Sequence, residues 1–308
     1  MNVDNFARAE TDRMFSDLQG DAGAVNTFSH SREPASVDHQ TVIRMNRDTL
    51  YSFAVVDITA GATITVPEHS GRYVSVMVVN QDHYVNAVHH ASGEHQLTVD
   101  RHGTPYVGVA VRILVDPADA DDVAAVTRLQ DQFQLTAGSS NLFASPDYDK
   151  ASLDETRNAL LTLARGLTGF DRTFGPKDRV DPVRHLIGTA AGWGGLPTDE
   201  ATYIGVTPNL PVGNYELTVQ DVPVDGFWSI SVYNARGFFE PNEHGVYSVN
   251  SVTGVKNDDG SVTVRFSGTD TGLPNTIPTT EGWNYLVRLY RPRPEILDGG
   301  WTFPTITT

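Results

Sequence analysis

The residues best equipped for chemistry fall into three groups. The first is Arg44-Met45-Asn46-Arg47-Asp48-Thr49-Leu50-Tyr51-Ser52. Two guanidiniums, an amide, a carboxylate and hydroxyls lie close enough together to hold a carboxylate or another polar ligand. Strand alternation places Asn46 and Asp48 on one face, Arg47 and Thr49 on the other. In a catalytic reading, Arg47 or Arg44 holds a substrate carboxylate or sulfate and Asp48 orients a base or the arginine. Tyr51 then donates to a developing oxyanion. In an architectural reading, the same arginine–aspartate lattice locks the start of a strand.

The second group is histidine-rich: His83, His89, His90, His95 and His102. On a continuous strand His83 and His89 share a face. With a carboxylate such as Asp82 or Glu94, these two imidazoles are candidate ligands for zinc, iron or another divalent metal. His83 is also the candidate general base. The plainer alternative is an exposed loop with many histidines.

The third group is aromatic: Phe227, Trp228, Tyr233, Phe238 and Phe239. Trp228, Ile230 and Val232 alternate and read as core. Tyr233 falls on the opposite face with Ser229 and Ser231. If that face lines a cleft, Tyr233 and Asn234 orient a substrate oxygen. In the last strand Arg288 is a further substrate-binding candidate, while Trp283 reads as core.

Composition narrows the classes of function. The chain has 308 residues, no cysteine and a formal net charge of −16. Without cysteine there is no disulfide framework, thiolate metal site or cysteine nucleophile. The surplus of negative charge disfavours nucleic acid and anionic membranes as partners. No run of 18 apolar residues is long enough to span a membrane. The start, Met1-Asn2-Val3-Asp4-Asn5-Phe6, has no basic or apolar leader character, so the chain as given reads as soluble and cytoplasmic. The serine-hydrolase elbow, the phosphate-binding loop, the dinucleotide fingerprint and the zincin motif are all missing, so no nucleotide cofactor is expected.

The elements that must position these groups are mainly β. An amino-terminal helix is expected from a cap at Asp4, through Phe6, Met14 and Leu18, to a stop at Gly20. Alternating Val, Ile, Thr and Tyr mark strands at 50–58, 62–66, 73–80, 96–99 and 106–115. Asp116-Pro117 opens a helix that faces its core with Val123, Val126, Leu129 and Phe133. Residues 137–199 read as a helical connector, with Leu153, Leu160, Leu163 and Leu167 on one helix face. The run from Gly188 to Gly195 reads as a loop. Strands return at 203–206, 215–220, 227–234, 245–250, 261–266 and 283–291, and Asn257-Asp258-Asp259-Gly260 signals a hairpin.

Two matches in the same order suggest an internal repeat. Val66-Pro67, then Gly71-Arg72-Tyr73-Val74-Ser75 and a strand ending at Asn80, parallels Val222-Pro223, then Gly226-Phe227-Trp228-Ser229 and a strand ending at Asn234. Farther on, Val111-Arg112-Ile113-Leu114 parallels Val287-Arg288-Leu289-Tyr290. A duplicated β unit accounts for both. The expected architecture is two tandem β-sandwich or jelly-roll-like units: 1–136 with the amino-terminal helix, the connector 137–199, and 200–308.

Asn46-Arg47-Asp48-Thr49-Leu50-Tyr51-Ser52, with Pro67 and Gly71-Arg72-Tyr73, resembles the amino-terminal domain of bacterial and fungal proteins catalogued as domain of unknown function 1254. The segment from Gly226 to Asn234 is similar to its companion, domain of unknown function 1214. So are Asp258-Asp259-Gly260-Ser261, Glu281-Gly282-Trp283-Asn284-Tyr285, Arg288-Leu289-Tyr290-Arg291-Pro292 and Ile296-Leu297-Asp298-Gly299-Gly300-Trp301. The resemblance implies two sandwich-like domains and a homo-oligomer, and it supplies no agreed reaction. Some relatives carry a carboxylesterase label, but the elbow of ordinary serine esterases is missing here.

The leading expectation is an enzyme acting on a small organic molecule, hydrolytic in kind, with a cleft between the two units. His83, Asp48, Tyr51 and Tyr233 are its catalytic candidates. Arg44, Asn46, Arg47, Asn234 and Arg288 are its substrate-binding candidates. The competing expectation is a non-catalytic ligand-binding or assembly protein that forms an oligomer, in which the Arg44–Ser52 cluster is buried and paired. Isomerase or cyclase chemistry is a third.

Overall fold

The structure, a computed structural model, describes residues 1–40, 42–167 and 169–306. Among them are fifteen strands in four sheets and six helices, so the protein is mainly β, with sandwich-like sheets and no closed barrel. The chain forms two compact units. One comprises Met1–Arg32, Tyr51–Leu114 and Ala125–Thr198, and the other Glu33–Leu50, Val115–Ala124 and Asp199–Thr308. Among the described residues no helix is long and apolar enough to cross a membrane.

The chain begins with α1 (Phe6–Ala22), followed by β1 (Ser29–His30), β2 (Thr49–Asp57), β3 (Ala62–Val66), β4 (Val74–Asn80), β5 (Val85–His89), β6 (Gly93–Leu97) and α2 (Val99–His102). Next come β7 (Tyr106–Leu114), α3 (Ala120–Gln130), β8 (Gln134–Ala137), α4 (Lys150–Leu163) and α5 (Pro182–Ala191). The first unit has a five-stranded sheet in the order β1-β2-β7-β4-β5 and a three-stranded sheet in the order β6-β3-β8. All seven residues of β4 are buried, as a central strand covered on both faces requires. Beside the sheets, Phe6 and Ala9 of α1 join Leu153 and Leu160 of α4 and Ile187 and Ala190 of α5 in one apolar cluster.

The rest of the chain supplies β9 (Ala201–Val206), β10 (Tyr215–Val219), β11 (Trp228–Tyr233), β12 (Ser248–Asn250), β13 (Val262–Ser267), β14 (Thr276–Pro278), β15 (Asn284–Tyr290) and α6 (Pro294–Leu297). The second unit has a four-stranded sheet β12-β11-β15-β9 and a three-stranded sheet β10-β13-β14. Trp228, Ile230, Val232, Trp283, Tyr285 and Val287 are buried in its core, as their alternation predicts.

The repeat is visible in the pairing. Strands β2-β7-β4-β5 follow the same order as β9-β15-β11-β12. In the first unit Ser75 lies opposite Arg112 and Val76 opposite Val111. In the second, Ser229 lies opposite Arg288 and Ile230 opposite Val287. Matched motifs therefore occupy matched register. The three-stranded sheets depart from this: β3 lies at the centre of one, whereas its counterpart β10 lies at an edge.

Several local expectations are corrected. Asn5, not Asp4, precedes α1, and the helix continues through Gly20 until Gly23 takes the left-handed conformation at φ 77°. Pro117 lies ahead of α3, where the Asp119 side chain accepts the N–H groups of Asp121 and Asp122 and so caps the helix. Leu163 is exposed and Leu167 lies beyond α4. Gly188–Ala191 is helical, because Asp181 caps α5 by accepting from Val183 and Arg184 and Pro182 fits the first turn. The turn at 257–260 forms, with Gly260 N donating to Asn257 O, but β12 and β13 belong to different sheets, so it closes no hairpin.

Candidate functional site

Residues 44–48 do not alternate as a strand, because β2 starts only at Thr49. Arg44 takes a left-handed backbone (φ 56°), and the Asn46 side chain accepts the Asp48 N–H at 3.0 Å, curling the chain into a turn. The second unit gathers this turn against β11, β12 and β15. Arg288 donates to the main-chain oxygens of Arg44 (2.9 Å) and Met45 (3.1 Å), to the Tyr233 hydroxyl and to the Ser231 hydroxyl. Tyr233 in turn donates to Met45 O at 2.7 Å. Arg44 lies over the Tyr233 ring and Arg47 over the Tyr247 ring, at 5.8 and 5.1 Å. Arg47 also donates to Ala35 O, and Asn46 donates to Thr49 and to the Tyr290 hydroxyl.

Asp48 is completely buried. Its Oδ1 accepts from Ser248 at 3.0 Å and from Asn250 at 3.4 Å, while Oδ2 has no hydrogen-bond partner among the described residues. Burial pushes the Tyr233 hydroxyl up, against the pull of Arg288. Burial works to lower Arg288, but Tyr233, Tyr290 and Asp48 outweigh it and keep the guanidinium charged. Burial lowers Arg47 as well. Asn234 organises a turn: its Oδ1 accepts from Arg236 N and Phe238 N, and its Nδ2 donates to Glu240. The structure thus brings Arg44, Asn46, Arg47, Asp48, Tyr233 and Arg288 together.

Tyr51 and His83 belong to the first unit. Arg112, the repeat counterpart of Arg288, lies over the Tyr51 ring at 5.6 Å and donates to Gly194 O at 2.8 Å. His83 does not continue a strand. It sits between β4 and β5 at φ 65°, so it and His89 share no strand face. It is fully buried in a column of rings, with His185 and Trp193 each 5.5 Å away and Tyr84 4.4 Å beyond His185. Gly194 N donates to Nε2, which leaves Nδ1 to donate to Thr189. Burial, with His185 adding to it, holds His83 well below the ordinary histidine range. With both nitrogens engaged, this neutral ring has no lone pair left for a metal.

His89 stacks on His95 at 4.1 Å, and its Nε2 is buried without a partner among the described residues. Among the described residues no group of three or more histidine, aspartate or glutamate side chains is arranged to hold a metal ion. Asp82, the proposed carboxylate companion, pairs with Arg8 at 2.6 Å. Sequence reading missed the partners of Asp48, although Ser248-Val249-Asn250 carries the signal: alternation puts Ser248 and Asn250 on one face. It also missed Thr189, Trp193 and Gly194 around His83, because that run reads as a loop.

Comparison with known proteins agrees with the architecture. The structure of the VPA0106 protein from Vibrio parahaemolyticus covers 100% of this chain and 99% of its own, at 18% identity and a TM-score of 0.73. An uncharacterised protein from Burkholderia cenocepacia gives a TM-score of 0.55 at 13% identity, over 99% of this chain and 86% of its own. At such identities the likeness is one of fold. No curated protein matches the chain. Residues 25–98 match the family described as Protein of unknown function (DUF1254), and residues 210–294 match Protein of unknown function (DUF1214). The chain therefore carries, in this order, a region that matches DUF1254 and a region that matches DUF1214.

Proposed function

We propose that this protein binds a small organic molecule without transforming it, and that the Arg44–Ser52 cluster is architectural. One observation carries this reading: most of the side chains with the best chemistry are already engaged by the protein itself. Arg288 and Tyr233 hold the carbonyls of Arg44 and Met45, Arg47 holds Ala35 O, and both His83 nitrogens are bonded. Ser52 accepts from Gln130 and bonds His30. A substrate would have to displace these bonds to reach the same donors and acceptors.

The test compares Asp48→Ala with the native chain by thermal melting and on a panel of small esters, lactones and amides. The substitution removes the acceptor of Ser248 and Asn250, at a cost of about 2–3 kcal/mol. A lower melting temperature for the variant, with no turnover by either chain, is expected. Turnover by the native chain that Asp48→Asn abolishes at an unchanged melting temperature would overturn the proposal.

That outcome belongs to a second reading, hydrolysis of a small molecule, and one feature favours it. Asp48 Oδ2 is buried and, among the described residues, unpartnered, while Oδ1 is held by two donors. A carboxylate fixed on one side and bare on the other has the form of a general base for water.

A further inference from the structure

Each unit grips one residue by both its N–H and its carbonyl, and the two grips match. In the first unit Gly194 donates its N–H to His83 Nε2 at 2.9 Å, and its carbonyl accepts from Arg112 Nη2 at 2.8 Å. In the second, Arg44 donates its N–H to Gly237 O at 2.8 Å, and its carbonyl accepts from Arg288 Nη2 at 2.9 Å. Both gripped residues are left-handed, Gly194 at φ 76° and Arg44 at φ 56°. An arginine and a turn residue thus form a clasp in each unit.

His83 and Gly237 occupy the same position of the same turn. Asn80 Oδ1 accepts the N–H groups of Asp82 and Tyr84, and Asn234 Oδ1 accepts those of Arg236 and Phe238. Asn80 N donates to Tyr84 O as Asn234 N does to Phe238 O, and His83 N donates to Asn80 O as Gly237 N does to Asn234 O. His83 and Gly237 are themselves left-handed, at φ 65° and 87°. Only a few per cent of non-glycine residues adopt that conformation, yet Arg44 and His83 both hold it at matched places. The acceptors differ in kind: the imidazole serves in one turn and the main-chain oxygen in the other.

The gripped arms are crossed. Arg44 lies in the segment that leads into β2, and Gly194 in the segment that leads into β9, the counterpart of β2. Glu33–Leu50 enters a strand of the first repeat but groups with the second unit, while the chain up to Thr198 enters a strand of the second repeat but groups with the first. Two independent repeats would each hold their own arm. Exchange in both directions is the pattern of a two-fold dimer, in which each subunit holds the other's arm. We propose that the two clasps are copies of one arm-binding site, inherited from a dimer of single repeats, and that an emptied clasp takes an arm supplied in trans by a second copy of this chain. The site recognises main chain: one N–H, one carbonyl and a left-handed residue. Glycine meets that conformation without strain, and Arg44 compensates for it by laying its guanidinium over the Tyr233 ring.

The test uses the full chain and a peptide of its own residues 42–50. Arg44→Pro withdraws the arm, since proline fixes φ at about −65° and has no N–H for Gly237. At about 1 mM the peptide should raise the melting temperature of this variant by about 2–5 °C and leave the native chain, whose clasp is filled, where it was. A peptide that itself carries Arg44→Pro should have no effect. Where Arg44→Pro does not fold, Arg44→Val takes its place, because a β-branched residue resists the left-handed conformation. Equivalence of the clasps has its own readout. Arg44→Gly, which installs the residue held by the other clasp, should melt within about 2 °C of the native chain, with Arg44→Val clearly lower. A variant that the peptide does not move, or a rise that the native chain shares, overturns binding in trans. An Arg44→Gly chain that melts as low as Arg44→Val overturns the equivalence.

Discussion

Burial, reinforced by His95, Arg101 and neighbouring histidines, holds His89 at about 4, and burial with Arg101 does the same for His102. The unfolded chain takes up these protons at the ordinary value near 6.5, whereas the folded chain resists until about 4. Between those limits the unfolded state binds more protons, so stability falls as the pH drops. Asp57 acts in a lower window. Burial opposes its charge, but hydrogen bonds from Thr59, Asn141 and Ser139 hold it at about 2. Its contribution is present above the unfolded value near 3.8 and is lost as the pH falls towards 2. Urea midpoints should therefore decline from pH 7.5 through 5.5 to 4.5. Asp57→Ala should cost about 2–3 kcal/mol at pH 7 and much less at pH 2.5. A flat midpoint between pH 7.5 and 4.5 would remove the histidine account.

At the scale of elements, the glycines beside Phe174 do what their loop-like sequence conceals. A Cβ on Gly188 would lie 2.1 Å from Thr173 Cγ2, and one on Gly195 would lie 2.3 Å from Phe174 Cε2. Gly188 in α5 and Gly195 after it let the backbone approach neighbouring side chains closely, so Gly188→Ala should destabilise by about 1–3 kcal/mol although alanine favours helix. Asp181→Ala should cost about 1 kcal/mol by uncapping α5. Thermal melts check both, and a Gly188→Ala chain that melts higher than native would refute the close-packing argument. Strands were legible wherever Val, Ile and Tyr alternate, as at β2, β3, β11 and β15. The repeat was legible too, because Ser75 with Arg112 and Ser229 with Arg288 keep one register. The turn at 44–48 was not. Its conformation depends on Arg288 and Tyr233 gripping its carbonyls, contacts that no local pattern encodes. Nor does the sequence decide between strand and loop at His83, because a single left-handed position leaves no trace in polarity.

At the scale of the whole molecule, the matched regions 25–98 and 210–294 do not coincide with the compact units, since Glu33–Leu50 groups with Asp199–Thr308. That segment brings Asp48 to Ser248 and Asn250, and the Gln40 side chain exchanges two hydrogen bonds with the Phe239 backbone. Residues 199–308 produced alone should therefore lack a cooperative melt, because Arg288 and Tyr233 lose their carbonyl partners while remaining buried polar groups. A sharp transition at the native temperature would show that the segment is dispensable. The same arrangement sets a timetable for synthesis. Asp48 leaves the ribosome 200 residues ahead of Ser248, an interval of about 10–40 s at ordinary elongation rates. For that time the nascent chain carries Val37, Met45 and Asp48 without the sheet that will cover them. A cell making this protein must hold an early segment in reserve until the last strands arrive.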